Sequence, residues 1–349
     1  MKFEPALDKP ALMETIRRVY GYPVSALTFV PEGMVGCHYI ADGEDGQRHF
    51  VTLLINNYLA MLQIRRLDFT LALTRNLHER GLFTAQPAVC RTLDGRLKAD
   101  FQDQPLIIYE YIEGGNLGEA WPYPPEVLTG LGRLTAQLHR ATADIGMDVP
   151  YVEQFRLPFE EPLLTSLAEL EQVPDNARPG KVELREIILP RRETLLGLLA
   201  RLHELGDIAR ALHPPLVLVH TDMTPNNILR TPQGELFIVD WEGIMLAPAE
   251  HDLIIFAGEG FATLLAEYYR LAGKPRLHPE LFAYYFYRRN LEDITGFIIS
   301  ILHENTTAEE DRFNLELLNS DCISNWPFLE KSAGWAEKPI QAAAGCCRL

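Results

Sequence analysis

No stretch of this chain approaches the roughly 18 to 20 uninterrupted apolar residues that span a bilayer, which excludes a membrane-spanning helix. Basic residues are scarce: 32 Lys and Arg stand against 48 Asp and Glu, a formal charge of −16. That balance repels nucleic acid and anionic membrane and draws cations, so the expected partner is a small cationic molecule, with no nucleic acid and no membrane. The cysteines (Cys37, Cys90, Cys322, Cys346 and Cys347) are scattered, odd in number and without metal-site spacing. A disulfide framework and a cysteine zinc site are thereby excluded, and a reducing cytoplasm is expected. The N-terminus has no apolar run of the kind a secretion signal needs, which agrees with that location. The terminal CCRL imitates a prenylation box, but Arg348 inside it favours chance. Lysine is missing altogether between Pro10 and Lys98. Internal repeats and low-complexity tracts are also missing.

What is present suits a large folded chain. At 349 residues with 47% hydrophobic content there is material for two lobes rather than one small core. Residues 12–20 read as an amphipathic helix, followed by strand-like runs at 24–30, 37–41 and 49–55. Residues 62–80 have helical spacing, with Leu67, Leu71, Thr74 and Leu77 on one face. Strands around 88–92 and 105–111 complete a small antiparallel sheet. From the linker EGGNL at 113–117 onward the chain is helix-rich. Residues 124–142 carry Leu128, Leu131, Leu134 and Leu138 as a core-facing stripe, with His139 a structural histidine near its end. Further helices are expected at 158–170, 184–212 (interrupted at Pro190), 253–272, 277–304 and 308–319. The segment after Trp335 is expected to be loosely held. The expected class is therefore α+β, with an N-terminal lobe at 1–112 and a helical C-terminal lobe at 113–349.

The richest chemistry lies in HTDMTPNNIL at 220–229 and FIVDWEG at 237–243. An apolar strand at 216–219 leads into a loop punctuated by Pro225, and 228–229 with 236–239 read as a hairpin. Asp240 then stands just past a strand end. A transferring phosphoryl group carries charge on its oxygens, which divalent metal must neutralise. Magnesium prefers oxygen ligands and takes one or two carboxylates from a protein. Asn227 and Asp240 fit as metal ligands, leaving Asp222 to orient an acceptor hydroxyl and take its proton. The interval from Asp222 to Asn227 matches a kinase catalytic loop, with Thr221 where that loop has arginine. His220 is expected to brace the loop rather than act in catalysis.

These two motifs resemble those of the aminoglycoside phosphotransferase and choline kinase group. MLAP at 245–248, HDL at 251–253, YY at 284–285 and LEDI at 291–294 look more particularly like the spectinomycin phosphotransferase branch. The resemblance implies a protein-kinase-like, two-lobed fold in which an antiparallel sheet carries the nucleotide. It implies transfer of the ATP γ-phosphate to a small-molecule hydroxyl, with magnesium as cofactor. It maps the nucleotide hinge onto YEYI at 109–112, where backbone groups of Glu110 and Ile112 would meet adenine. The turn PEGMVGC at 31–37, with Gly33, resembles the loop that covers the phosphates; two glycines in a hairpin also serve turn geometry alone.

One position departs from the family pattern. The lysine that the family carries on its third strand maps onto Thr52, and the acid that pairs with it on the next helix maps onto Asp68. Three readings are open: an arginine such as Arg48 or Arg65 reaches the phosphates, the chain is a weak or non-catalytic ligand-binding relative, or the strand register differs. Acceptor-binding acids are expected among Glu242, Asp252, Glu292 and Asp293, with family position favouring Glu242 and Asp293 and with Asp252 read as a helix cap. Trp241 and Tyr285 are candidates for stacking on a substrate ring or for packing. The expected function is a kinase for a cationic aminocyclitol or aminoglycoside, of the antibiotic-resistance kind. The rival reading is a metabolic kinase for choline, a sugar or an amino alcohol.

Overall fold

The computed structural model describes every residue except 1–2, 34–35, 56, 119–122, 330 and 347–349. Residues 347–349 of the prenylation-like terminus, and Met34 and Val35 of the glycine segment, therefore lie outside the described residues. In chain order come α1 (Lys9–Tyr20), β1 (Val24–Val30), β2 (Gly36–Gly43), β3 (Arg48–Leu54), α2 (Tyr58–Glu79), β4 (Ala99–Phe101), β5 (Gln104–Glu110) and β6 (Gly115–Asn116). Next are α3 (Pro125–Ala141), α4 (Glu160–Leu170), α5 (Pro179–Ile188), α6 (Arg192–Leu212), β7 (Leu216–Val219), β8 (Ile228–Arg230), β9 (Leu236–Ile238) and β10 (Met245–Pro248). The chain closes with α7 (Glu250–Leu253), α8 (Phe261–Ala272), α9 (Pro279–Ile299), α10 (Ala308–Leu317), α11 (Trp326–Leu329) and α12 (Ser332–Cys346).

Two compact units divide these elements. The first comprises residues 1–121, 140–148 and 220–244, and the second the remainder. The units do not follow a single cut near residue 112, because the catalytic-loop segment returns to the N-terminal unit.

The first unit is built on an antiparallel sheet of order β1-β2-β3-β5-β4. Strand alternation sends Tyr39, Val51, Leu53, Leu106 and Ile108 to one face, where Leu12 and Ile16 of α1 cover them. Leu54 and Ile107 face the other way, onto Leu67 and Leu71 of α2. Helix α1 starts where the Asp8 carboxylate accepts from Ala11 N (3.0 Å) and stops at Gly21, whose φ of 75° suits glycine. Helix α2 begins earlier than its apolar stripe suggests, because Asn57 caps it through Ala60 N at 2.8 Å. The strand expected at 88–92 is a single bridge, Val89 to Tyr109, flanked by bonds from Cys90 N to Ile108 O and from Glu110 N to Ala88 O. A turn at 92–96 ends it, and β4 continues along the same edge of β5.

In the second unit α9 is the central helix, buried nearly all round and packed against α4, α6 and α12. Gly132 lets α3 approach α8 closely: a Cβ there would stand 2.3 Å from the Leu264 carbonyl oxygen. Pro190 interrupts the long helix as expected, between α5 and α6. The single helix expected at 253–272 is instead α7, a short turn and α8, because Gly258 and Gly260 (φ 80°) break it. Strand β7 pairs with β10, which ends at a proline as an edge strand can. The segment after Trp335 is helical and docked, with Ala336 fully buried against its neighbours, which corrects the expectation of a loose tail. Among the described residues no helix is long and apolar enough to cross a membrane.

Candidate active site

The site grows from a three-stranded sheet of order β6-β8-β9 in the first unit. Leu117 N donates to the carbonyls of Pro225 (3.1 Å) and Ile228 (3.0 Å), fixing the tight turn over Pro225–Asn227. Val239 N donates to Asn227 O at 2.9 Å, so the residue before Asp240 is tied directly to Asn227. Ile238 N donates to Ala85 O at 2.8 Å, anchoring β9 to the segment that follows α2.

On this platform Asp222 and Asn227 meet. The Asn227 amide donates from Nδ2 to Asp222 Oδ2 at 2.8 Å and to the Asp222 carbonyl at 3.0 Å. The amide is thereby oriented with Oδ1 free of that pair, and oxygen is the atom a hard cation takes. Asp222 N in turn donates to His220 Nδ1 (3.3 Å), while His220 is fully buried against Trp241. His220 thus braces the loop as expected. Asp240 is solvent-exposed.

Two residues here hold left-handed backbone without being glycine: Thr221 at φ 77° and Asp240 at φ 69°. For a β-branched residue such as Thr221 that conformation is unfavourable by about 1–3 kcal/mol and persists only where the surroundings over-determine it. Gly243 is part of those surroundings, since a Cβ there would lie 2.1 Å from Thr221 Oγ1.

Glu242 and Trp241 lie beneath the site rather than on its surface. Burial, and then the neighbouring Asp240 carboxylate and its hydrogen bond, with Asp222 adding to them, raise the Glu242 carboxyl well above the ordinary range. A carboxyl buried behind Asp240 is poorly placed to grip an ammonium group, against the expectation for Glu242. Trp241 is 7% exposed, donates from Nε1 to Ile238 O (2.9 Å) and packs edge-on against Phe83. It is a packing residue, not a platform for a substrate ring. In the second unit Asp293 pairs with Arg289 at 2.9 Å and Glu292 lies 3.7 Å from Arg288. Both expected acceptor acids therefore already face a guanidinium on their own helix. Tyr285 is buried, its hydroxyl 3.4 Å from Glu153. Asp252 is no cap: it is fully buried and bonds His139 Nε2 at 3.1 Å, and His139 also bonds the Tyr268 hydroxyl at 2.9 Å.

The nucleotide-side expectations divide as well. Glu110 closes β5 with its N–H on Ala88 O, and Ile112 follows half-buried. Gly33, ahead of β2, adopts φ 74°. Thr52 is buried, and its hydroxyl lies 3.1 Å from His38 Nδ1 on the adjacent strand. Asp68 meets no cation from β3. Its side chain is 84% exposed and takes Lys98 Nζ at 2.7 Å, a lysine that stands just before β4. Arg48 lies over the Tyr111 ring (4.3 Å) and 3.8 Å from Glu113, near the hinge, and Arg65 is exposed on α2. His38 was not among the residues expected from sequence; only the cross-strand register, which sets it opposite Thr52, reveals it.

Among the described residues no three His, Cys, Asp or Glu side chains gather as a metal cluster. The donor set is instead one carboxylate and one amide oxygen, which fits magnesium completing its shell with water and phosphate.

A model of the phosphotransferase enzyme family matches residues 43–294. No curated protein matches the chain. Among solved structures, a spectinomycin phosphotransferase in complex with ADP and spectinomycin is 20% identical, with a TM-score of 0.71 over 94% of this chain and 100% of that one. An amicoumacin kinase bound to AMP-PNP and Ca2+ is 15% identical, with a TM-score of 0.55 over 96% and 95%. A microcompartment-associated aminopropanol kinase is 14% identical, with a TM-score of 0.53 over 93% and 99%. At these identities the likeness is one of fold, and the fold is kinase-like.

Proposed function

Since the chain belongs to the phosphotransferase enzyme family, and is on that ground an ATP-dependent phosphotransferase acting on hydroxyl groups, we propose that its acceptor is a small cationic alcohol of the aminocyclitol or aminoglycoside kind. The observation that carries the chemistry is the Asp222–Asn227 pair beside exposed Asp240. Asp222 accepts the proton of the acceptor hydroxyl as that oxygen bonds to the γ-phosphorus and the bond to the ADP oxygen breaks. Asn227 Oδ1 and Asp240 would hold magnesium, which when bound offsets charge on the phosphoryl oxygens. The Asn227 amide nitrogen keeps the Asp222 carboxylate aimed, so one side chain serves both tasks.

Cationic character of the acceptor rests on the −16 charge and on the spectinomycin-bound relative. The arginine pairing of Glu292 and Asp293 weakens the expected ammonium anchors without touching the transfer chemistry. A reading as an amino-alcohol kinase would assign the same three residues and differ only in acceptor. ATP consumption across aminocyclitols, aminoglycosides, choline, aminopropanol and simple sugars tests the reading, with Asp222→Ala as control. Turnover confined to uncharged sugars would reject the cationic acceptor, and turnover surviving in the control would reject the role of Asp222.

A further inference from the structure

On the sheet of the first unit, β2 sets His38 directly opposite Thr52 of β3. The Thr52 hydroxyl lies 3.1 Å from His38 Nδ1, and the ring stacks on Phe50 with centroids 5.4 Å apart and planes 24° apart. Two contacts fix one nitrogen and the ring plane, which leaves Nε2 as the working edge. That edge runs beside Gly36: a Cβ there would sit 3.0 Å from Cε1 and 3.2 Å from Nε2. Glycine at 36 therefore places no side chain of its own against Nε2. The Asp240 carboxylate is close enough to act on the imidazole electrostatically. A triphosphate whose metal sits on Asp240 must bring its oxygens near that carboxylate. Three cations of this unit are engaged elsewhere: Arg48 with Tyr111 and Glu113, Lys98 with Asp68, Arg75 with Glu79 and the Val89 carbonyl.

We infer that His38 is a nucleotide-phosphate ligand, donating from Nε2–H to a phosphate oxygen, and that Thr52 positions it by donating its hydroxyl hydrogen to Nδ1. A hydroxyl proton on Nδ1 selects the tautomer with hydrogen on Nε2. Burial supports the neutral form, holding the pKa down to about 4 against the opposing pull of Asp240. The donor is thus a dipolar N–H, not a formal charge, and needs no ion pair with the helix that follows.

This inference rests on the kinase reading and deepens it. Its test is binding of Mg-ATP and of adenosine, measured by calorimetry on wild type, His38→Ala, His38→Gln, Thr52→Val and Thr52→Ser. Loss of one hydrogen bond to a charged oxygen predicts about 10- to 100-fold weaker Mg-ATP binding in His38→Ala. Adenosine, which has no phosphate, should change by less than about twofold, which is within the spread of uncoupled sites. Gln places an amide N–H near the Nε2 position and should recover part of the loss. Thr52→Ser should bind as wild type and Thr52→Val should not. The double variant His38→Ala/Thr52→Lys, which supplies an ammonium on the same face, should regain Mg-ATP affinity. Unchanged Mg-ATP binding in His38→Ala, or equal loss of ATP and adenosine with an unshifted melting temperature, would overturn the inference while leaving the kinase reading intact. A wild-type protein that binds no nucleotide would overturn both.

Discussion

Two regions of the molecule combine histidine with a carboxylate and a third polar group, yet they serve opposite ends. In the second unit His139, Asp252 and Tyr268 bond one another and are all but sealed, at 3%, 0% and 1% exposure. In the first unit the histidine is equally buried, but Asp222 and Asn227 are half-open and Asp240 faces solvent. The residue types barely differ. What differs is whether the carboxylate has any lone pair accessible from outside, and only an accessible one can meet metal or substrate. A closed network stabilises a core, and an open one is available to a ligand.

The contrast can be broken by exchanging the consequences. Asp222→Asn should lower kcat by about a hundred- to ten-thousandfold, the range for losing a proton acceptor, with the thermal midpoint nearly unmoved. Asp252→Ala should do the reverse. Removing the acid from a buried pair is expected to destabilise by about 3–5 kcal/mol, read by denaturant titration, with little effect on the KM for ATP. A catalytic defect in Asp252→Ala at full stability would erase the distinction.

Glu250 sharpens the same point through pH. It is buried, and its Oε1 accepts from His278 N at 2.7 Å. Burial raises its pKa to about 7 from 4.5, so the folded state holds a proton that the unfolded state has released. Stability should therefore fall as pH rises from about 4.5 through 7, by on the order of 3 kcal/mol, and level off above that window. Comparing Glu250→Gln with wild type at pH 5 and pH 8 isolates this group, since other titrations cancel in the difference. The variant should gain relative to wild type at the higher pH, and a pH-independent difference would count against it. The smallest effect is expected from Gly243→Ala. Its methyl would press on Thr221 Oγ1, at about 1–3 kcal/mol of strain, relieved if Thr221 shifts and disturbs the loop before Asp222. Activity and stability should fall together.

Much of this was legible in the sequence. The stripe Leu67, Leu71, Thr74, Leu77 is buried, as is Leu128, Leu131, Leu134, Leu138, because helical periodicity reports directly which face packs. The local framework of the candidate site was legible too, because Asp222, Asn227 and Asp240 lie on a loop and hairpin whose partners are nearby in the chain. Local signals fail where a partner comes from afar. Lys98 reaches Asp68 from another segment, Asp252 is bound by His139 and not by a helix end, and His38 meets Thr52 across two strands. Glu242 and Trp241 illustrate a different failure: adjacency in sequence to Asp240 says nothing about which way a side chain points, and both point inward.

The composition of the first unit carries a practical lesson for anyone cutting this gene. Ala85, Phe83 and the β6 strand receive their bonding partners from residues 220–244, more than a hundred positions downstream. An expression product that stops soon after β6 would expose Phe83 where Trp241 belongs and leave a sheet edge open at Gly115. Such a truncate should aggregate rather than serve as a minimal nucleotide binder. Dissection of this enzyme calls for joining the two stretches through a designed tether, not for a stop codon.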